Sequence, residues 1–265
     1  MPPAYLFLFA AAVFGSIAGS FLNALLFRFN TGRSVLVLSL GASGRSRCMH
    51  CGHVLAASDL VPVFSFLFLR GKCRYCGSRL SWQYPLVELT AAVLSAGIYA
   101  LYPQPLAYAF WFVVWMTLLF VVVYDLRHKI IPWSCSIVLA VLALSSLFFS
   151  FSTGQFGTPG LWALLAGPLL AAPLLLLSAV SGGRWMGWGD GALELSIGWL
   201  LGISAGATAF ILAFWSGALV GLLLMAFNSR VRMDSEVPFA PFLILGAGLA
   251  LFFHVDFFSS ISMLW

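Results

Sequence analysis

The sequence predicts an all-α polytopic membrane protein of about eight transmembrane helices, with a small four-cysteine domain inserted between helices 1 and 2. Three observations predict it. Hydrophobic residues make up 62% of the chain and charged residues 8%, against roughly 25% charged in an ordinary soluble domain. Long apolar stretches recur, separated by turn residues. One extended hydrophilic stretch, about 30–83, holds the paired cysteines and most of the positive charge.

The first apolar stretch, Tyr5–Phe29, has no basic residue before it and is followed by Arg28 and Arg33. This is the reverse of a secretory signal's charge order, so it reads as a retained span with its N-terminus outside. Small residues at Gly15 and Gly19, beside Ser16 and Ser20, allow another helix to approach closely. Further spans are expected at Tyr84–Leu101, Leu106–Tyr124, Ile131–Phe151, Leu161–Val180, Ala192–Leu201, Ser204–Phe227 and Pro238–Phe258. Pro103 and Pro105 separate two of them, Pro132 suits a first helical turn, and 154–160 is rich in breakers. Pro168 and Pro173 predict a kink in the fifth span.

The stretch Ala192–Leu201 is short, since ten residues rise only about 15 Å, half of a bilayer core. It must borrow neighbouring residues or turn back. Charge arbitrates. If it crosses, eight spans put Arg28 to Arg79, Arg127, Lys129, Arg184, Arg230 and Arg232 on one side, as the positive-inside rule requires. Seven spans would strand Arg230 and Arg232. The expected organisation is a first helix at 1–29, a cytoplasmic metal domain at 30–83 and a transmembrane domain at 84–265, with both termini outside. The basic balance therefore reports orientation in a lipid bilayer, and no nucleic-acid partner is expected.

Cys48 and Cys51 form one CxxC and Cys73 and Cys76 another, with residues 52–72 between them. This is close to the spacing by which two knuckles share a tetrahedral zinc. Gly52 and Gly77 follow the second cysteine of each pair, where a permissive backbone lets amides turn toward the sulfurs. Two disulfides are the alternative, disfavoured in a reducing cytoplasm. His50 and His53 are candidate substitute ligands. Four thiolates leave no open position on the metal, so the zinc is expected to be structural. Cys135 is expected to be a small buried apolar residue.

Of the eight acidic residues, Glu88, Asp125, Asp190 and Glu194 touch spans, where charge is costly and usually functional or paired. Asp125 closes the third span and Asp190 opens the sixth, so two distant positions share the cytoplasmic edge. Glycines at 187, 189 and 191 allow close backbone approach, and a helix starting there offers free amides. Two neighbouring carboxylates share a proton, a combination that hydrolyses peptides without a metal. The plainer alternatives are that Asp125 pairs with Arg127, His128 or Lys129 and that Asp190 caps a helix. Glu194 lies one turn deeper than Asp190 on the same helix face, where it could tune the pair's protonation; the favoured expectation is that it hydrogen-bonds a neighbouring helix. Glu88 is expected to bond a loop or helix terminus.

These residues together resemble the type IV prepilin peptidases, the leader peptidase/N-methyltransferases of pilus and type II secretion systems. The likeness runs through Gly19-Ser-Phe-Leu-Asn23 with Arg28, Cys48 to Cys76 with Asp59-Leu-Val-Pro62 and Leu69-Arg-Gly-Lys-Cys73, and Tyr84-Pro-Leu-Val-Glu88. It continues through Asp125 with Pro132, the GxGD run ending at Asp190, and Pro238-Phe-Ala-Pro-Phe-Leu243. Ala192 stands where the family commonly has Lys, and Glu194 where it usually has an apolar residue.

The resemblance implies catalytic Asp125 and Asp190 and prepilin or pseudopilin substrates cut at the bacterial inner membrane. It also implies N-methylation of the new terminus from S-adenosylmethionine, for which no donor motif is visible. A proton-coupled transporter with a zinc docking domain is the alternative. A relay of acids should cross the bilayer, whereas both aspartates are expected at one face.

Overall fold

The computed structural model describes residues 4–29, 46–227 and 237–258. The predicted positions Arg33, Arg230 and Arg232, and residues 30–45 of the cysteine domain, lie outside them. The chain divides into two compact units, Met1–Phe120 and Val121–Trp265.

In the first unit, α1 (Ala4–Arg28) packs along α3 (Gln83–Leu101). The small-residue stripe explains the contact: a Cβ at Gly19 would sit 2.9 Å from Ala91 Cβ and from Glu88 Cα, and one at Gly15 would strike Ala91 and Ser95. Lipid supplies no hydrophobic drive between helices, so such backbone approach is where their attraction comes from. Polar clasps close both ends of the pair. Buried Asn23 donates to the Tyr84 carbonyl (3.2 Å) and accepts from Gln83 (3.2 Å), while the Ser95 hydroxyl donates to the Ala11 carbonyl (2.6 Å). α4 (Pro105–His128) follows, and the Tyr108 hydroxyl on it meets that of Ser95 at 2.7 Å.

Between α1 and α3 lie a 3-10 turn at Ala57–Leu60 and the five-residue α2 (Phe64–Phe68). The residue before α2, Val63, has φ of 62°, and its amide donates to Glu88 Oε2 at 2.7 Å. The expected bond from Glu88 to a helix terminus is therefore present, and it ties the cysteine domain to α3.

The second unit takes over within α4 and contains α5 (Trp133–Phe148), a short hairpin of β1 (Phe149–Ser150) and β2 (Gln155–Phe156), α6 (Leu161–Ser181), α7 (Trp188–Phe227) and α8 (Ala240–Phe252). α5, α6 and α8 all pack against α7. α7 has 40 residues, about 60 Å of helix and twice a bilayer core. It is broken at Gly202, whose φ of 79° and ψ of 178° only glycine adopts readily. The sixth and seventh predicted spans are thus two helices joined at one non-helical residue. The sixth starts four residues earlier than expected, at Trp188, which lengthens it to 188–201. Past the break, the Asp256 carboxylate accepts from the Ser204 hydroxyl (2.6 Å), and Phe257 N–H donates to the Thr208 hydroxyl (3.0 Å).

The protein is an all-helical membrane protein. Five described helices are long and apolar enough to cross a bilayer, α7 counted once, while α5 and α8 are shorter apolar helices. Both are shorter than their predicted spans for local reasons. Pro132 is the N-cap of α5, and the hairpin ends it. α8 begins at the Pro238–Pro241 run and stops before His254, whose φ is 52°.

Replacing Gly19 by Leu should break the close α1–α3 contact and cost about 1–3 kcal/mol or more, read as a lowered Tm in detergent. An unchanged Tm would contradict the packing.

Candidate active site and metal centre

The two CxxC runs form matching knuckles. Cys48 N–H donates to the His53 carbonyl (2.9 Å) and Gly52 N–H to the Cys48 carbonyl (2.9 Å); Cys73 N–H donates to Ser78 (2.8 Å) and Gly77 N–H to Cys73 (2.9 Å). Bridges Arg47–Val54 and Lys72–Arg79 close the two turns. Gly52 and Gly77 carry φ of 70° and 69°, the left-handed conformation the turn demands.

The four sulfurs lie within 4.8 Å of one another, and Cys48 and Cys76 are 3.9 Å apart. A zinc–sulfur distance of about 2.3 Å in a tetrahedron separates sulfurs by roughly 3.8 Å, whereas a disulfide needs about 2.05 Å. The donor set therefore fits a closed, four-thiolate metal site. Its electrostatics agree. Backbone N–H groups of Cys51 and His50 pull the Cys48 thiol down to about 6. At Cys51 the His53 amide favours the thiolate, but burial and the sulfurs of Cys48 and Cys76 outweigh it and push the thiol up to about 11. Bound to a metal, all four would ligate as thiolates, the cation offsetting their mutual repulsion. The His53 ring packs on Tyr75 at 3.6 Å between centroids, and His50 is outside the cluster.

Asp59 braces the domain. Its carboxylate accepts from Arg74 (2.7 Å), the Ala56 amide (3.1 Å) and the Tyr75 hydroxyl (3.2 Å). Burial alone would raise its pKa, but the Ala56 amide, Tyr75 and Arg74 together hold the carboxyl below the usual range.

In the second unit, Asp125 lies in the last turn of α4 and is 4% exposed. It accepts from the backbone N–H of Ala240, the first residue of α8, while its Oδ2 has no hydrogen-bond partner among the described residues. This gives the Pro238–Leu243 run a role: its helix start aims an unused amide at Asp125. Asp190 lies in the first turn of α7, where its Oδ2 accepts from Gly187 N–H (3.2 Å) and its own N–H donates to the Gly187 carbonyl (3.2 Å). The two carboxyl groups are close enough to repel each other electrostatically. The residues 65 positions apart, 125 and 190, are therefore brought together.

The glycines around Asp190 allow close approach to the protein's own chain. A Cβ at Gly189 would meet Ile131 at 2.8 Å, one at Gly191 would meet Leu175 at 2.5 Å, and one at Gly187 would crowd Asp190 Oδ2 at 3.2 Å. Ile131 belongs to the Asp125–Pro132 run, so the two aspartate motifs pack on each other directly. Sequence reasoning missed Ser178, whose buried hydroxyl donates to the carbonyls of Met186 (2.9 Å) and Gly187 (3.3 Å). It also missed Ser181, which accepts from Trp185 N–H (3.2 Å). The available signal was two serines three apart at the end of an otherwise apolar helix.

Glu194 departs from expectation. It is fully buried, and among the described residues neither carboxyl oxygen has a hydrogen-bond partner. Gly191 and Gly198, on either side of it along α7, pack on Leu175 and on Ala166 and Gly167 of α6. Cys135 is partly exposed and unbridged.

A helical membrane protein with a four-cysteine knuckle pair and two neighbouring aspartates at helix ends is the class this architecture defines. Residues 13–102 match the family model described as the bacterial peptidase A24 N-terminal domain. The chain is 32% identical to the prepilin leader peptidase/N-methyltransferase of Burkholderia pseudomallei, covering 94% of this chain and 86% of that protein. It is 35% identical to the protein of the same name in Bacillus subtilis, covering 90% and 91%, and 33% identical to that of Dichelobacter nodosus, covering 78% and 71%. No solved structure matches. The chain belongs to the prepilin leader peptidase/N-methyltransferase family.

Replacing Cys48 or Cys73 by Ser should lower bound metal in the purified protein to near zero, measured by elemental analysis; full retention would exclude the four-thiolate site. Because the folded Asp59 carboxyl is more acidic than an unfolded one, its stabilisation is present above about pH 4 and lost as pH falls through the lower folded value. The Tm gap between wild type and Asp59→Asn should therefore be widest near neutrality and close in acid; a pH-independent gap would remove the ionic contribution.

Proposed function

We propose that this protein is a membrane aspartic endopeptidase that removes the short basic leader of type IV prepilins or pseudopilins and then N-methylates the new terminus. The observation that carries the reading is the pairing of Asp125 and Asp190 at the ends of α4 and α7 within electrostatic reach. The names of the relatives supply the substrate class and both activities.

In this reading one carboxyl of the pair is protonated and the other ionised. The ionised group takes a proton from a water as its oxygen bonds to the scissile carbonyl carbon. The protonated group donates to the carbonyl oxygen. When the tetrahedral intermediate collapses, the C–N bond breaks, the proton taken from water passes to the leaving nitrogen, and the hydroxyl proton returns to the partner carboxylate. The Ala240 amide orients Asp125, and the Gly187 amide, itself held through Ser178, orients Asp190.

In this reading the chain crosses a bacterial inner membrane eight times and the pair lies at its cytoplasmic face, where a leader meets an apolar helix. Arg28, Arg127, Lys129 and Arg184, basic residues near helix ends, support that orientation. Cys48, Cys51, Cys73 and Cys76 would hold a structural zinc that fixes the fold of the domain between α1 and α3. S-adenosylmethionine would supply the methyl group. A transporter reading is less well supported, because among the described residues of the second unit Glu194 is the only buried acid midway along a helix, apart from the pair at the helix ends.

With purified protein and a model prepilin, Asp125→Asn and Asp190→Asn should each lower leader removal by about 10³-fold or more, while metal content and Tm stay near wild type. Efficient cleavage by either variant would overturn the pair.

A further inference from the structure

The segment that follows the first knuckle carries a feature that peptide hydrolysis leaves unused. α2 reads Phe-Ser-Phe-Leu-Phe. Phe66 turns inward at 7% exposure, whereas Phe64, Leu67 and Phe68 stand out at 61, 59 and 83%. Trp82 is 67% exposed, packs its ring against Phe66 at 5.0 Å, and immediately precedes α3. α3 is a membrane-capable helix, so this patch lies at the level where the chain passes from water into the bilayer. Large amphipathic rings at that level are interfacial anchors.

The backbone then turns sharply. Arg70 has φ of 52° and Gly71 of 67°, and a Cβ at Gly71 would sit 3.1 Å from the Phe66 ring, so ring and turn are in contact. The Lys72–Arg79 bridge holds the returning chain beside it. The result is a groove in which Arg70, Lys72 and Arg79 line up with Phe66, Leu67 and Trp82. The three basic side chains are exposed and have no carboxylate partner among the described residues, the nearby Asp59 being engaged by Arg74 and Tyr75.

We infer that this groove binds the headgroup of an anionic phospholipid, with α2 lying on the bilayer surface as the anchor of the metal domain. The phosphate meets the guanidinium and ammonium groups, and the acyl chains meet Leu67, Phe68 and Trp82. Charge decides against the other visitors to this domain. A basic leader is repelled by three cations, and so is a methyl donor that carries a sulfonium and an ammonium group.

The full chain, reconstituted in nanodiscs of phosphatidylcholine with or without phosphatidylglycerol, tests this by native mass spectrometry of retained lipid and by hydrogen exchange across 63–72. Wild type should retain phosphatidylglycerol over phosphatidylcholine by at least about tenfold and exchange more slowly in the anionic discs. The combined variant Arg70→Gln, Lys72→Gln, Arg79→Gln should lose the preference while keeping its metal. Phe68→Ser, at a fully external position, should weaken the protection without altering metal content. Equal retention of the two lipids by wild type overturns the inference, as does a preference that survives in the triple variant. Protection produced by inorganic phosphate or S-adenosylmethionine in neutral discs, with none added by phosphatidylglycerol, overturns it too.

Discussion

A carboxylate held in an apolar helix bundle costs several kcal/mol unless other groups compensate it, and the second unit is arranged around that cost. Asp125 and Asp190 both sit at helix ends, where unused backbone amides are available. Ala240 supplies one amide from the start of α8 and Gly187 supplies another from the turn before α7. The compensation is incomplete: among the described residues Asp125 keeps one oxygen without a partner. In the proposed peptidase reading, a pair that is held but not fully satisfied remains able to exchange protons.

The same economy explains the glycines. In hydrocarbon there is little hydrophobic gain in bringing helices together, so attraction depends on how closely backbones approach. Gly15 and Gly19 achieve this between α1 and α3, and Gly198 and Gly246 between α7 and its neighbours. Gly189 and Gly191 use the approach for position as well, seating the Asp190 turn against Ile131 and Leu175. Gly202 has a different task, since its conformation divides α7 into two helices that no straight 40-residue rod could provide within one bilayer.

The cysteine domain meets the opposite problem: among its described residues only Cys48, Phe66 and Cys73 are buried, too few for a core of its own. Two backbone knuckles, the Asp59 hub and the Val63–Glu88 bond do the work of a core, and the four sulfurs complete it when a cation joins them. The α2 patch and its basic groove then give the domain a surface suited to the membrane beside which it is tethered.

Much of this was legible in the sequence, because composition, period and spacing are local properties. Span positions agreed to within a few residues wherever Pro or Gly marked the boundary, and the CxxC glycines and the Gly15–Gly19 stripe meant what their spacing suggested. The ends of α5 and α8 were less legible, because proline caps and a hairpin trimmed apolar runs that hydropathy alone extends. Ser178, Ser181 and the Ala240 amide were invisible, since a single serine or a backbone N–H has no signature until the chain folds onto it. Glu194 was misjudged for the same reason, its expected partner depending on which face of α6 it met. The sequence by itself determined that this is a membrane chain with a four-cysteine cluster and two costly aspartates. Only the tertiary structure decided that Asp125 and Asp190 lie within electrostatic reach of each other and which amides hold them, because a charge's partners are set by distance in space, which spacing along the chain does not encode.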